Sequence, residues 1–238
     1  MGFYEELSRY YDEVFPVDAS DMAFPVERTQ GCDRILDLGC GTGNKTVFFA
    51  SGGVEVVGID SDSGMILRAN KENKKDTVTY EVLDMMKIDE RFSPSSFNGA
   101  VCLGNSMAHM LGTEQLSAFI SKVSAVLEPN GRFIVQVLNY DRILDNGLTT
   151  LPILETPNVI FRREYKWRNS EMRFHTTLQI KKSGELYEND IPLFPLRHDD
   201  LDKGLKEAGF ASIHYYGSFT GEEYSQSSFI LMAEGTKS

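Results

Sequence analysis

Residues 35–43 read Ile35-Leu36-Asp37-Leu38-Gly39-Cys40-Gly41-Thr42-Gly43, an apolar run that leads into a glycine-rich turn. A second apolar run, residues 54–59, ends at Asp60. Glycine lets a backbone pass close to a nucleotide-like ligand because no Cβ intervenes. An acid at the end of the next strand suits a ribose diol. The two runs together predict a site for an adenosine-containing cofactor.

The spacing of the glycines distinguishes between two kinds of adenosine site. A dinucleotide turn reads G-x-G-x-x-G, but here the third glycine comes one residue early and Asn44 takes its expected place. The carboxylate of Asp37 would repel a pyrophosphate, whereas it suits a cationic group such as an α-ammonium. A nicotinamide-dependent dehydrogenase is therefore disfavoured.

Composition limits the partners. The 238 residues contain 24 Lys and Arg against 35 Asp and Glu, a net charge of −11, and no basic run is longer than two residues. An extended nucleic-acid partner is therefore disfavoured. No apolar run approaches the ~18–20 residues that span a bilayer, and the acidic N-terminus does not resemble a signal peptide. Three cysteines without a C-x-x-C pair suit a reducing compartment, so we expect a cytoplasmic protein without a metal site.

Strand and helix patterns alternate from residue 33 to about residue 140. Apolar runs predict strands at 35–38, 54–59, 78–83, 99–103 and 132–138. Helices are predicted at 45–51, 63–73 and 113–127, the last from apolar residues at i, i+3 and i+4 spacing. This βαβ alternation predicts an α/β protein whose mostly parallel sheet is doubly wound, with helices on both faces.

The pattern changes after residue 140. Residues 159–167, 171–182 and 185–191 predict consecutive antiparallel strands, and a helix capped by His198 or Asp199 and two further strands follow. We therefore divide the chain into an aromatic helical cap at 1–30, a cofactor-binding domain at 31–140 and 197–238, and a β-rich insertion at 141–196. The insertion is expected to form a substrate lid or a dimer surface, so a homodimer is possible.

The motifs resemble those of the class I S-adenosylmethionine-dependent methyltransferases. Residues 35–43 resemble the first motif of that family, Asp60 its ribose-binding acid, and Asp84 with Met85 the pair that holds the adenine. The segment 127–132 is similar to its L-x-P-G-G turn, and 208–210 to the helix end before its C-terminal hairpin. The resemblance implies S-adenosyl-L-methionine as cofactor and a seven-stranded Rossmann-like sheet whose last strand is antiparallel. The implied cofactor-binding residues are Tyr11, Asp37, Gly39, Gly41, Gly43, Asp60, Ser61, Met65, Asp84, Met85, Leu103 and Asn105.

A narrower resemblance points to the glycine and sarcosine N-methyltransferases. Residues 103–109, Leu-Gly-Asn-Ser-Met-Ala-His, are close to their L-G-N-S-F-A-H motif, and Asn139-Tyr140-Asp141 also matches. The resemblance implies Asn105 and His109 as catalytic residues, and Tyr4, Asn139 and Tyr140 as substrate-binding residues. Those enzymes bind the amino-acid carboxylate with an arginine at the place of Leu138, where an apolar side chain cannot make the salt bridge. Glycine is therefore not expected as the acceptor unless Arg162, Arg163, Arg168 or Arg173 of the insertion takes over.

The expected activity is methyl transfer to a small-molecule acceptor, most simply to an amine nitrogen. Oxygen methylation of a small acid or hydroxyl compound is an alternative. A protein that binds the cofactor without turnover is another, since a binder needs the same glycines and acids. His109 also has a structural alternative, as a hydrogen-bonded histidine near a helix start.

Overall fold

The computed structural model describes residues 2–238, and two β-sheets organise them. The helices are α1 Phe3–Val14, α2 Ala19–Arg28, α3 Thr46–Phe49, α4 Ser63–Glu72, α5 Ile88–Arg91, α6 Thr113–Val126, α7 Tyr140–Asp145 and α8 His198–Glu207. The strands are β1 Arg34–Leu38, β2 Glu55–Asp60, β3 Val78–Val82, β4 Phe97–Cys102, β5 Leu127–Leu138, β6 Leu154–Glu155, β7 Val159–Arg168, β8 Glu171–Ile180, β9 Leu186–Leu193, β10 Phe210–Tyr216 and β11 Ile230–Lys237.

The first sheet has seven strands in the order β10-β11-β5-β4-β1-β2-β3. Strands β1 to β5 run parallel, and β11 is antiparallel to both β5 and β10. This confirms the doubly wound, seven-stranded fold and its antiparallel last strand. Because β1 has β2 on one side and β4 on the other, the strand order reverses at β1. Open α/β sheets bind ligands in the crevice at such a point.

The parallel strands are buried on both faces. Ile35, Leu36 and Leu38 of β1 have no exposed surface, as expected of a central strand with helices on either side. The apolar spacing of residues 113–127 places Leu116, Phe119, Ile120 and Val123 on the buried side of α6, as predicted. Cys32, Cys40 and Cys102 are buried free thiols.

The second sheet is antiparallel, in the order β6-β7-β8-β9. The prediction missed β6, which has only two residues. Asn169 and Ser170 join β7 to β8 with φ of 49° and 67°, the left-handed pair that a two-residue hairpin turn requires. Helix α1 packs its Leu7 and Val14 against this sheet, so the N-terminal segment is bound to the β-rich insertion.

The N-cap of helix α8 lies one or two residues before the predicted cap. It is Arg197, in extended conformation, and not His198 or Asp199. The reason is a contact from outside the helix, because the His198 N–H donates to Asp141 Oδ2 at 2.9 Å. The Asp141 carboxylate on α7 therefore accepts a hydrogen bond from one of the N–H groups that the first turn of α8 leaves without a partner inside the helix. Within residues 2–238 no helix combines the length and the apolarity that crossing a bilayer requires.

The junction of β5 and α7 is anchored by Asn139, which is fully buried. Its side-chain oxygen accepts the Arg142 N–H at 3.1 Å and so caps α7. Its Nδ2 donates to carbonyls of the 225–228 loop, the shortest bond reaching Ser228 O at 2.9 Å. One amide therefore holds together two segments that are more than 80 residues apart in the chain.

Replacing this amide should destabilise the fold. We expect Asn139→Ala to lower the free energy of unfolding by roughly 2–4 kcal/mol, because it leaves buried N–H and C=O groups without partners. Urea unfolding measures the loss. The matched control is Asn146→Ala, which removes one exposed bond to the Arg142 carbonyl and should cost less than ~1 kcal/mol. Equal losses in the two variants would contradict the anchoring role.

Candidate functional site

A cavity of about 720 Å³ lies where the parallel strands end. Gly39, Asp60, Asp84, Gly104 and Leu138 line it, and each follows or ends a different strand of the first sheet. Helix α1 and the second sheet supply the remaining walls. The volume lies within the ~300–1,000 Å³ typical of small-molecule sites.

Most of the predicted cofactor residues meet at this cavity. Those that line it are Tyr11, Gly39, Gly41, Asp60, Ser61, Met65, Asp84, Met85 and Asn105. Asp37 and Leu103 line an adjoining cavity of about 30 Å³. Lys45 and Gly39 border both cavities, so the two form one continuous region around the glycine turn.

The glycine turn is fastened to the end of β2. The N–H groups of Gly39 and Cys40 both donate to the carbonyl of Ile59, at 2.8 and 2.9 Å. Gly39 has a φ of +74°, and a Cβ there would lie 2.6 Å from Ser106 Oγ. Gly41 has a φ of +56° and faces the ring of Tyr11. A bare backbone therefore borders the cavity, which fits the close approach of an adenosyl ligand.

Gly43 does not reach either cavity, so the structure assigns it no direct cofactor contact. A Cβ at Gly43 would lie 2.4 Å from the hydroxyl of Tyr80, and its φ is +77°. The glycine is needed because the Tyr80 ring packs directly against this position.

Asp60 occupies the wall of the cavity at the end of β2. Its Oδ2 accepts the Gly41 N–H and its Oδ1 accepts the Asp62 N–H, both at 2.9 Å. Burial raises the pKa of Asp60, and these backbone N–H groups partly oppose the rise. Each oxygen retains a lone pair for a ligand hydroxyl, which is what a ribose diol needs.

Asp37 and Lys45 place opposite charges at the small cavity. Asp37 is 3% exposed, and its Oδ2 accepts the Thr46 hydroxyl at 2.6 Å. Burial raises the pKa of Asp37 to about 6, against the lowering effects of Thr46 and Lys45. Burial lowers the pKa of Lys45, against the attraction of Asp37. A ligand that brings both an ammonium and a carboxylate complements this pair. The sequence reasoning missed Lys45, although it directly follows the glycine turn.

Asn105 links the ends of β4 and β5. Its Oδ1 accepts the Leu138 N–H and its Nδ2 donates to the Tyr140 hydroxyl, both at 3.0 Å. Its φ of 71° lies in the left-handed region that asparagine tolerates better than most residues. The amide is therefore held by the protein on both sides, so its geometry is fixed while part of it borders the cavity.

His109 borders the cavity beyond the end of β4, in a 3₁₀ turn formed by residues 106–109. Its side chain is exposed to the cavity, yet protein atoms replace much of the surrounding water. This desolvation lowers the pKa of His109 below its ordinary value of 6.5. The imidazole is therefore neutral at neutral pH and can accept a proton.

Two predicted substrate-binding residues do not reach the cavity. Asn139 and Tyr140 have no exposed surface, because the 225–228 loop covers Asn139 and the second sheet covers Tyr140 with Tyr165. Tyr4 does line the cavity, and its hydroxyl accepts the Asn189 amide at 3.3 Å. Tyr140 acts on the site only through its bond to Asn105.

Sequence reasoning did not identify much of the wall opposite the cofactor residues. The unpredicted lining residues include Phe3, Leu7, Phe15, Leu151, Thr176, Ile191, Phe219 and Phe229, whereas Phe161, Phe174 and the arginines of the insertion were expected around the acceptor. Strand alternation was the available signal, since Phe161 and Arg163 share one face of β7, and Phe174 and Thr176 share one face of β8. Within residues 2–238 no group of three or more His, Cys, Asp or Glu residues is arranged to hold a metal ion.

Comparison with known proteins matches a methyltransferase domain family to residues 35–131. Glycine/sarcosine N-methyltransferase of Aphanothece halophytica is 27% identical over 201 residues, which cover 84% of this chain and 74% of that enzyme. The match begins in β1 and ends within β5, so it includes the cavity residues Gly39, Asp60 and Asp84.

Two solved structures share the fold over nearly the whole chain. The CcbJ methyltransferase from Streptomyces caelestis has a TM-score of 0.80 at 19% identity and covers 100% of this chain and 99% of its own. S-adenosylmethionine-bound CalS10, an amino pentose methyltransferase from Micromonospora echinaspora, has a TM-score of 0.72 at 17% identity, with coverages of 97% and 96%. Both likenesses extend through the second sheet.

The buried carboxyl of Asp37 should make the stability of the ligand-free protein depend on pH. Folding raises the pKa of the Asp37 carboxyl from 3.8 to about 6, so the unfolded chain loses this proton at a lower pH than the folded protein does. The free energy of unfolding therefore falls as the pH rises through that interval. We expect Asp37→Asn, which keeps an oxygen for Thr46, to raise the unfolding free energy by on the order of 3 kcal/mol above pH 7. The gain should shrink to roughly half at pH 5.

Urea unfolding between pH 5 and pH 8 measures this gain. The control is Asp33→Asn, an exposed acid just before the same strand, which should leave the pH profile unchanged. A gain from Asp37→Asn that does not vary with pH would contradict the raised pKa.

Proposed function

Because the chain is a class I S-adenosylmethionine-dependent methyltransferase, we propose that it methylates an amine nitrogen of a small-molecule acceptor. One observation carries the proposal: a single cavity joins Asp60 and Asp84, at the ends of β2 and β3, with a neutral His109 and an aromatic wall from the second sheet. The cofactor and an acceptor can therefore meet in one space at the carboxyl edge of the sheet.

S-adenosyl-L-methionine supplies an electrophilic methyl group on a sulfonium. In our proposal Asp60 binds the ribose hydroxyls, Asp84 the adenine amino group, and Met65 and Met85 pack beside the adenine. Asp37 and Lys45 hold the charged methionyl end, and Ser61, Tyr11 and Leu103 complete the walls. These acids also favour a cationic ligand electrostatically. Holding the reactants in line can supply ~7–11 kcal/mol of the barrier reduction.

The acceptor end uses His109 and Asn105. We assign His109 to accept the proton that an amine loses on methylation, because its imidazole is neutral and borders the cavity. We assign Asn105 a positioning role, since Leu138 N and Tyr140 hold its amide. Support for nitrogen as the acceptor atom comes from the glycine/sarcosine N-methyltransferase relative.

The ribose assignment predicts a specific loss. We expect Asp60→Ala to lower the affinity for S-adenosylhomocysteine by at least about fivefold. This factor corresponds to the lower end of the ~1–3 kcal/mol that an unpaired polar group costs. Wild-type protein should prefer S-adenosylhomocysteine over its 2′-deoxy analogue in calorimetry, and Asp60→Ala should lose that preference. The comparison separates the diol contact from the support that Asp60 gives to Gly41 and Asp62.

The control for this experiment is heat protection. S-adenosylhomocysteine should raise the melting temperature, and nicotinamide dinucleotides should not. Protection by the dinucleotides alone would overturn the cofactor assignment. A preserved ribose preference in Asp60→Ala would overturn the role of Asp60.

The acceptor class can be tested with a panel of amines, phenols and carboxylic acids. We expect S-adenosylhomocysteine release with amines, and little with glycine, because Leu138 lines the cavity and cannot pair with a carboxylate. Exclusive turnover of phenols or acids would favour oxygen methylation and contradict the proposal. On the best amine, His109→Gln should remove the fall in kcat below pH 6.5 that protonation of the imidazole causes.

A further inference from the structure

The face that β7 and β8 turn towards the cavity is aliphatic or aromatic except at one place, and on β9 the neighbouring Asn189 is already bonded to the Tyr4 hydroxyl. On β7 the inward residues are Val159, Phe161, Arg163 and Tyr165, and on β8 they are Met172, Phe174, Thr176, Leu178 and Ile180. Arg163 and Thr176 line the cavity and face each other directly in the β7–β8 register. A cation and a hydroxyl are thus paired in the middle of an aromatic surface.

Each side chain has one buried polar atom that finds no hydrogen-bond partner within residues 2–238. Arg163 Nε and Thr176 Oγ1 are buried and make no hydrogen bond, and Thr176 is only 2% exposed. The only hydrogen bond from the Arg163 guanidinium within residues 2–238 joins Nη2 to the Pro152 carbonyl at 2.9 Å. The rings of Phe15 and Phe161 lie 5.8 and 5.9 Å from it, and within the described chain no acidic side chain pairs with it. A partly buried cation without an anion is costly to a fold.

Resting on the proposed function, we propose that Arg163 and Thr176 bind a carboxylate of the acceptor, held apart from its amine by an apolar spacer. A carboxylate can accept from the Arg163 guanidinium and from the Thr176 hydroxyl at once, and it supplies the charge that Arg163 lacks. One guanidinium matches one negative charge, which favours a carboxylate over a phosphate dianion. Phe161, Phe174 and Leu151 line the cavity around this pair and suit the spacer.

The charges along the cavity determine the direction in which such a ligand lies. The lining acids Asp60, Asp62 and Asp84 belong to the cofactor end, and Arg163 is the charged lining residue of the second sheet. A carboxylate at Arg163 therefore lies away from the acids. Glycine enzymes bind the carboxylate with an arginine at the position of the uncharged Leu138. In our proposal Arg163, on the second sheet, binds the carboxylate instead. A larger carboxylated amine should therefore suit the cavity better than glycine.

The hairpin provides its own matched controls. Arg162 and Thr177 form the adjacent pair in the β7–β8 register, on the opposite face of the sheet, and neither lines the cavity. The variants are Arg163→Met and Thr176→Val, with Arg162→Met and Thr177→Val as controls. The probes are 4-(aminomethyl)benzoate, benzylamine without the carboxylate, and 4-(aminomethyl)phenylphosphonate, titrated by calorimetry into protein saturated with S-adenosylhomocysteine.

We expect wild-type protein to bind the benzoate at least about tenfold more tightly than benzylamine, a typical gain for a charged hydrogen bond. Arg163→Met should abolish this preference, Thr176→Val should reduce it about threefold or more, and both controls should keep it. The melting temperatures of ligand-free Arg163→Met and Thr176→Val should not fall, because each substitution removes an unpaired buried polar group. A merely structural role would lower them.

Three results would overturn the proposal. The first is equal affinity of wild-type protein for the benzoate and for benzylamine. The second is a higher affinity for the phosphonate than for the benzoate. The third is that Arg163→Met lowers the affinity for S-adenosylhomocysteine as much as it lowers the affinity for the benzoate. The titration needs no turnover, so it is separate from the proposed methylation. If S-adenosylhomocysteine does not bind, the cofactor assignment fails, and the same probes titrated into ligand-free protein still test the carboxylate site.

Discussion

The carboxylate of Asp60 is the contact on which the site depends. It accepts one N–H from the glycine turn after β1 and another from the loop after β2, so it sets the distance between these two loops. The Ile59 carbonyl adds two more bonds to the same turn. Because these partners are backbone groups, the loops keep their shape without large side chains. The space left free above them is the cavity.

The second constraint is that the opposing walls belong to different layers. Helix α1 packs on the second sheet through Leu7 and Val14 and reaches the first sheet through Asp12, which accepts the Thr42 hydroxyl of the glycine turn. The N-terminal helix therefore connects the cofactor loops to the acceptor wall. Tyr11 on this helix lies against Gly41, where burial and the nearby Asp60 raise its pKa and keep the phenol protonated. A protonated phenol can donate to a ligand without adding charge.

The sequence was sufficient to predict the parts of the site that depend on spacing along the chain. Asp37, Asp60 and Asp84 lie at or just beyond the ends of parallel strands, and Gly39 directly follows one of them. Parallel strands bring their carboxyl ends to one edge of the sheet, so the position of each acid follows from the strand pattern. The same reasoning failed at Asn139. It follows β5 directly, but a loop 86 residues later captures its amide, and no local pattern announces such a contact.

Gly43 and Arg163 show two further limits. The motif predicted that Gly43 contacts the ligand, whereas in the structure the Tyr80 ring packs beside it. Tyr80 belongs to β3, so the contact depends on how β3 is placed and not on the motif itself. Four arginines of the insertion were equally plausible anion binders from sequence. Only the register of β7 with β8, and the direction in which each side chain faces, separates Arg163 from Arg162. To identify functional residues on the second sheet, one must therefore know how its strands pair, and not only where they lie in the sequence.

The two-residue turn at Asn169 and Ser170 limits how the acceptor wall can evolve. One added residue there would shift the register and turn the inward side chains of one strand outward, which exposes Phe161 and Val159 along with any polar neighbour. Insertions and deletions in this hairpin are therefore excluded as a way of changing what the wall recognises. New specificity can arise there only by exchanging side chains on a strand ladder of fixed length, so diversification within this architecture should concentrate in point substitutions on one face of β7 and β8.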